Sequence, residues 1–288
     1  MNEAQYPFEN HFLDLGGIEY HYLDEGEGSP VVMLHGNPTW SFYYRNLVLA
    51  LRETHRCIVP DHVGCGLSDK PDDAQYPYTL SRRVDDLETL LDKLGVRENI
   101  TLVVHDWGGM IGMAFAARHP ERISRFVIMN TACGPLPESK RFPRALALVR
   151  TPLGAFLVRR LNAFARVASH VCCTRRKMNK ELRDAYCRPY DSYENRIATL
   201  RFVEDIPLFP TDPSYAIVAH VAQCAGLFQD RPMLIGWGMR DFVFSHHFLE
   251  DWQRRYPKAQ VHRFNDCGHY VLEDAAEELI PLITAFIA

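Results

Sequence analysis

No glycine-rich phosphate loop of the GxxxxGK[ST] type occurs in this chain, and no GxGxxG precedes a helical pattern, so nucleotide chemistry has no motif to stand on. The eight cysteines, at positions 57, 65, 133, 172, 173, 187, 224 and 267, form no CxxC pair. They read as free thiols in a reducing compartment, not as a disulfide frame or a zinc site. No group of His, Cys, Asp and Glu has metal-ligand spacing, and no cofactor or nucleic-acid partner is expected. No apolar run approaches the length of a membrane span. Met1–Asn10 is polar and mixed, without the basic-then-apolar order of a secretory signal, so a cytoplasmic protein is expected. Internal repeats and low-complexity segments are missing too.

What is present is an ordinary apolar core and an uneven charge. Of 288 residues 47% are hydrophobic, enough to bury a sizeable interior. The net charge of −4 hides an asymmetry: Pro137–Arg201 carries fifteen Lys/Arg against five Asp/Glu, and the rest carries 17 bases against 31 acids. The two parts therefore face different surroundings. The basic part is either a solvated face on a lid or a docking face for an acidic partner or a membrane edge.

Strand-like runs alternate with helical ones. Val31–His35, Cys57–Pro60, Ile100–His105, Phe126–Asn130, Pro232–Trp237 and Gln260–Phe264 are short, apolar and bounded by turn residues. Trp40–Arg52, Thr79–Leu94, Trp107–His119, His246–Tyr256 and Glu273–Ile287 have helical spacing. His11–Leu15 and Ile18–Leu23 flank Gly16-Gly17 as a hairpin. The rhythm predicts an α/β fold with a mostly parallel sheet of eight strands covered by helices on both faces. It breaks after Asn130. From about Cys133 to Pro213 the chain turns helical and basic, which predicts a helical cap (133–213) inserted after strand 6 into a core made of residues 1–132 and 214–288. Within it, Phe142–His170 mixes apolar residues with Arg at helical spacing. A membrane-surface helix is one reading, but helices lining an apolar pocket are the preferred one.

The chemistry starts at Leu102–Gly112, LVVHDWGGMIG, an apolar strand running into a small-residue helix start. That is the shape of a nucleophile elbow, with Asp106 where serine usually stands. A hydroxyl needs a base to attack, whereas a carboxylate is ionised at neutral pH. Attack by Asp106 leaves an ester on the protein, which points to an sp3 carbon bearing a leaving group. Hydrolysis of that ester needs a base, and His269, in Cys267-Gly268-His269-Tyr270 before the final helix, has the right place and order. The acid that orients it is expected after the Pro232–Trp237 strand, at Asp241. The other place, after Phe126–Asn130, ends in Asn130, which carries no charge. Asp266 is a weaker alternative because it is too near His269 in sequence. Asn37, in His35-Gly36-Asn37-Pro38, and Trp107 offer side-chain N–H donors on the two loops that form an oxyanion hole, suited to a halide or a carboxylate oxygen. His105 is expected to point away and be structural, and the glycine-rich Asp61–Pro71 turn to be scaffold.

With these residues assembled, the chain resembles the haloalkane dehalogenases of the α/β-hydrolase fold over nearly its whole length. The resemblance implies Asp106 as nucleophile, His269 as base, Asp241 as acid, and Asn37 with Trp107 as the halide- or oxyanion-binding pair. One large subgroup has Glu where Asn130 stands. This chain looks like the subgroup that combines Asn and Trp donors with a late Asp acid. HGNPTWSFYYRNL at His35–Leu47, Asp61–Pro71, Tyr78–Leu94, Gly238–Phe244 and the cap segments Asn162–Phe164, Tyr186–Tyr190 and Arg201–Pro207 are more similar still to the β-lactone decarboxylases of bacterial long-chain olefin biosynthesis.

That likeness implies conversion of a cis-3,4-dialkyl-β-lactone to a cis-alkene and carbon dioxide, beside a β-lactone synthetase to which the basic cap could dock. In the first-choice reading Asp106 opens the ring at its sp3 carbon, with attack at the carbonyl as the alternative. Hydrolysis of a haloalkane, with His269 activating water, is the second reading. Epoxide hydrolysis is third: it wants paired cap tyrosines, for which Tyr186, Tyr190 and Tyr193 are available, but Asn37 favours a halide or a lactone. A non-catalytic binding scaffold is disfavoured because every triad member is present. The expected ligand is an apolar small molecule. A homo-oligomer, a pathway protein and a membrane edge stay open as partners.

Overall fold

A computed structural model describes residues 5–288, so the first four residues of the polar N-terminal stretch lie outside the described residues. Eight strands form one sheet: β1 (His11–Asp14), β2 (Glu19–Glu25), β3 (Ser29–Leu34), β4 (His55–Pro60), β5 (Ile100–His105), β6 (Ile123–Met129), β7 (Met233–Gly238) and β8 (Gln260–Phe264). Their order is β1-β2-β4-β3-β5-β6-β7-β8, with β1–β2 and β2–β4 antiparallel and the remaining pairs parallel. The direction of winding reverses at β3. The crevice beyond the C-terminal ends of β3 and β5 is therefore where a ligand site is expected in such a sheet.

The helices are α1 (Arg45–Leu51), α2 (Leu80–Lys93), α3 (Trp107–Arg118), α4 (Arg144–Val149), α5 (Pro152–Leu161), α6 (Ala163–Val171), α7 (Lys180–Cys187), α8 (Ile197–Glu204), α9 (Tyr215–Gln223), α10 (His246–Arg255), α11 (Val271–Asp274) and α12 (Ala276–Ile287). Alternation along the strands feeds two cores. Val32, Leu34, Leu102 and Val104 face α2, α3 and α10, while Val31, Met33 and Val103 face α1 and α12. Helix α2 shows how sequence sets an element: the Thr79 side chain caps it by accepting from the Arg82 N–H, and Leu80, Val84, Leu87 and Leu91 form its buried stripe.

Two predicted helices differ in detail. The segment from Trp40 opens as a tight 3-10 turn, Ser41–Tyr44, before α1. The last helix is broken at Ala275, where φ is −123°. The break leaves Asp274 free to accept from the backbone N–H groups of Thr174 and Gly268, which ties down the loop carrying His269.

Helices α4 to α9 lie between β6 and β7, where the alternation of the sequence broke. The last of them, α9, packs on α3, whereas α4 to α7 pack mainly on one another and, through α4 and α5, on α8. Helix α8 is fastened to the sheet side at several points: the Arg201 guanidinium pairs with both oxygens of Asp73, and Asp205 accepts from the Leu80 N–H at 2.7 Å.

Candidate active site

Helix α3 begins one residue after β5 ends, and the residue between them is Asp106. Its backbone sits at φ +51°, ψ −125°, a conformation that costs an ordinary side chain about 1–3 kcal/mol and persists only where its surroundings hold it. They do. The Asp106 N–H donates to the Asn130 carbonyl at 3.1 Å, and the Thr131 hydroxyl donates to the Asp106 carbonyl at 2.5 Å. The turn also needs small neighbours. A Cβ on Gly108 would lie 1.9 Å from the Leu34 carbonyl oxygen, and one on Gly36 would lie 2.1 Å from Asp106 Oδ1. Glycine at 36 is what lets the loop after β3 close over the carboxylate.

The carboxylate is met from two sides. The backbone N–H of Asn37 donates to Asp106 Oδ1 at 2.7 Å, and His269 Nε2 stands 3.6 Å from Oδ2. His269 Nδ1 is 2.7 Å from Asp241 Oδ2. Asp241 is fixed in turn: Oδ1 accepts from the Val243 and Phe244 N–H groups, and Oδ2 from Asn130 Nδ2 at 3.0 Å. Thus the structure brings Asp106, His269 and Asp241 into one buried line. Asp266, the alternative acid, lies at the surface, paired with Arg175.

Burial pushes the Asp106 carboxyl above the ordinary carboxylate value, against the downward pull of His269 and of the Asn37 and Trp107 N–H groups. For His269, burial alone would lower the pKa. The Asp241 carboxylate against Nδ1, with Asp106 on the far side, outweighs it and raises the value above that of free histidine.

Asn37 and Trp107 both border the cavity above Asp106. Asn37 Nδ2 donates to the Thr199 carbonyl of α8 at 3.0 Å, so one amide hydrogen is committed and the second is available to the cavity. The Trp107 ring packs on Phe202 of α8, centroids 5.2 Å apart. The same helix therefore seats both donors. Behind Phe202 lies Arg83, its guanidinium carbon 3.7 Å from the ring centroid, fully buried and with no protein hydrogen-bond partner among the described residues.

The cavity measures about 360 Å³. Apart from Asn37, Asp106 and His269 its walls are almost wholly apolar, with Leu146, Leu157, Val158 and Phe164 of the inserted helices on one side and Phe248 on the other. Phe142–His170 thus lines a pocket, as preferred from the sequence. Among the described residues there is no cluster of three His, Cys, Asp or Glu able to hold a metal.

Asn130 is the residue that sequence reasoning passed over. Besides Asp241 it bonds Gly238 twice, accepting from the Gly238 N–H at 2.8 Å and donating to its carbonyl at 3.0 Å. One amide joins the end of β6, the elbow and the acid loop. The available signal was its position at the end of the strand that lies between those of Asp106 and Asp241. His105 does not border the cavity, but it is nearer the site than expected: its Nε2 bonds the His269 carbonyl at 2.8 Å and its ring stacks on Tyr43. The Asp61 turn is scaffold. Buried Asp61 takes the Ser41 and Leu67 N–H groups and His21, and burial is outweighed by the adjoining histidines, which hold its carboxyl far below the usual range. Next to it, the His62 N–H donates to His35 Nε2 and steadies the residue before Gly36.

The comparisons fit this geometry. A family model described as alpha/beta hydrolase fold matches residues 29–276. The chain belongs to the α/β-hydrolase fold family. The cis-3-alkyl-4-alkyloxetan-2-one decarboxylase of Shewanella oneidensis is 58% identical over 288 residues, covering 100% of this chain and 91% of that protein. A haloalkane dehalogenase of Mycolicibacterium paratuberculosis is 31% identical, covering 99% and 94%. Among solved structures, haloalkane dehalogenase DbeA from Bradyrhizobium elkani superposes with a TM-score of 0.87 at 26% identity, covering 97% of each chain. Within the α/β-hydrolases, the chain thus falls on the branch that joins oxetanone decarboxylases and haloalkane dehalogenases.

Proposed function

We propose that this protein decarboxylates a cis-3,4-dialkyl-β-lactone, that is a cis-3-alkyl-4-alkyloxetan-2-one, to a cis-alkene and carbon dioxide. The observation that carries the reading is a buried carboxylate, Asp106, at the floor of an apolar cavity, in a chain 58% identical over its whole length to an enzyme named for that reaction. Asp106 attacks the sp3 ring carbon that bears the ring oxygen, the C–O bond breaks, and the lactone carboxylate is freed. The carbon–carboxylate bond then breaks, its electrons form the double bond, and Asp106 departs as a carboxylate with carbon dioxide. Inversion in the first step followed by anti departure in the second gives the cis-alkene from the cis-lactone. Water is not consumed. His269, held between two acids and shifted toward its protonated form, faces the freed carboxylate together with the second hydrogen of Asn37 Nδ2 and the Trp107 N–H.

The alternative is hydrolytic dehalogenation of a haloalkane, supported by the Asn37–Trp107 donor pair and the likeness to haloalkane dehalogenases. There His269 is neutral and activates water against the Asp106 ester. The division into a core of 1–132 and 214–288 and a cap of 133–213, and a cytoplasmic location, belong to the same proposal. Among the described residues no helix is long and apolar enough to cross a membrane.

One experiment separates the readings. The purified protein is given a long-chain cis-β-lactone and, separately, a series of bromoalkanes, and alkene and bromide are measured. Alkene from the lactone, abolished by Asp106→Asn, is expected. Efficient bromide release with no alkene overturns the proposal in favour of the dehalogenase.

A further inference from the structure

The mouth of the apolar cavity is unusual in what surrounds it. Leu148 on α4, Val167 and Val171 on α6, and Phe242 after β7 border the cavity and are also exposed, by 46, 57, 39 and 46%. Exposed apolar side chains that continue into an apolar interior make an opening without a polar collar. Cations surround them. Lys140 Nζ reaches the Phe242 carbonyl at 3.4 Å, Arg144 stands one helical turn before Leu148, Lys177 Nζ bonds the His170 carbonyl next to Val171, and Arg166 lies on the adjoining strip of α6, toward α7.

These cations are not balanced locally. From Ser139 to Lys180 the sequence has eleven Lys/Arg and no Asp or Glu, and of these Arg175, Arg176 and Lys180 pair with acids from outside the segment. Arg144 and Arg166 are exposed and make no ion pair among the described residues. Between α6 and α7 a second cleft is lined by Arg166, Lys180, Arg183 and Arg188, with Asp184 as its one acid, paired with Lys180.

An acidic protein would satisfy the charge but leave the apolar rim to chance. A bilayer of anionic phospholipid satisfies both, because its phosphates lie at the level of the cations while its acyl region receives the rim. We infer that the cavity mouth docks on an anionic phospholipid membrane, with Leu148, Val167, Val171 and Phe242 entering the interface and Lys140, Arg144, Arg166 and Lys177 meeting the headgroups. In that pose an apolar substrate dissolved in the bilayer enters the cavity without crossing water. The inference does not depend on which bond Asp106 breaks.

Vesicle sedimentation tests it directly. The full-length protein is mixed with vesicles of phosphatidylcholine alone or of phosphatidylcholine with phosphatidylglycerol, at low and high salt. Binding to the anionic vesicles, released by salt, is expected. Each arginine neutralised should weaken it about fivefold, so Arg144→Gln with Arg166→Gln should lose roughly 25-fold, with circular dichroism unchanged. Val167→Ser should weaken binding at low salt by removing apolar area from the rim, and unchanged binding would overturn the pose. A wild-type protein that stays in solution with both vesicle types overturns the inference, as does a double arginine variant that binds like wild type. Retention on immobilised polyglutamate without vesicle binding assigns the rim to an acidic protein and also overturns it.

Discussion

At the level of single residues the site is governed by where protons sit. In the proposed reaction Asp106 attacks only when ionised, and burial raises its pKa, so activity should fall on the acid side at a higher pH than an exposed carboxylate would give. His269 has a raised pKa and is protonated below it. If the imidazolium faces the freed carboxylate, alkene formation declines as pH climbs through that value, giving a bell-shaped profile. If neutral His269 activates water, the rate instead climbs through the same value and stays high. A pH profile of kcat with β-lactone therefore tests the role of His269 as well as the reaction. An alkaline plateau would count against the imidazolium.

Two other residues make sharper structural statements. Gly36→Ala places a methyl group within 2.1 Å of an Asp106 oxygen and pushes the Asn37 N–H off the carboxylate. Losing one such donor typically costs about 10²–10³ in turnover, which is the expected loss here, with the fold checked by circular dichroism. Asn130→Ala removes one of the two donors to Asp241 Oδ2, the other being His269 Nδ1, weakens the bonding of the Gly238 carbonyl and leaves the Gly238 N–H without its acceptor. Buried polar groups left unpaired cost about 1–3 kcal/mol each, so urea unfolding should show clear destabilisation. The kcat should fall with little change in KM, since Asn130 does not border the cavity. A raised KM at constant kcat would show that Asn130 does not position the acid.

Among the elements, α8 is the one that joins the inserted helices to the chemistry. It holds Asn37 through the Thr199 carbonyl, backs Trp107 with Phe202, and is pinned by Arg201–Asp73 and Asp205–Leu80. Arg83 stands under it as a buried cation with aromatic faces and no hydrogen-bonded acid. A charge so placed is costly to bury, and an apolar side chain of similar length removes that cost. Arg83→Met is therefore expected to keep or raise the Tm while weakening inhibition by halide or carboxylate anions, whose proposed site at Trp107 lies one aromatic ring away. A large loss of Tm would show that the guanidinium is needed to hold α8 in place.

The strands and major helices of this architecture could be read from period and turn residues because both faces of the sheet are covered, which makes short, wholly apolar runs such as Leu102–Val104 unambiguous. The triad was legible from chain order alone. Arg83, Asn130 and Thr199 were not. Arg83 reads as one more exposed charge on an amphipathic helix, Thr199 contributes only a carbonyl, and Asn130 carries no chemistry of its own. Their roles come from tertiary contacts between segments 24 to 162 residues apart, which no local pattern records. His105 is a similar case, since the alternation of β5 gave its direction but not the His269 carbonyl it would meet.

For the whole molecule, the contrast lies between a sheet buried on both faces and a roof whose own apolar surface is half in solvent. Opening free energies should follow that contrast, being high in β3, β5 and β6 and low in α4 to α6, whose Leu148, Leu153, Phe156 and Val167 are about half exposed. A long apolar ligand fills the cavity they border and should be felt there first. Asp106→Asn, which can bind but not attack, allows the bound state to be held. Hydrogen exchange of this variant with and without a long-chain cis-β-lactone should show added protection from Phe142 to Val171 and across α8, with the β1–β2 hairpin unchanged. At a hundredfold excess over Kd the ligand should add about 2.7 kcal/mol of stability. Protection spread evenly over the sheet would mean that the inserted helices are as rigid as the core, and entry through the mouth between α4 and α6 would then need another explanation.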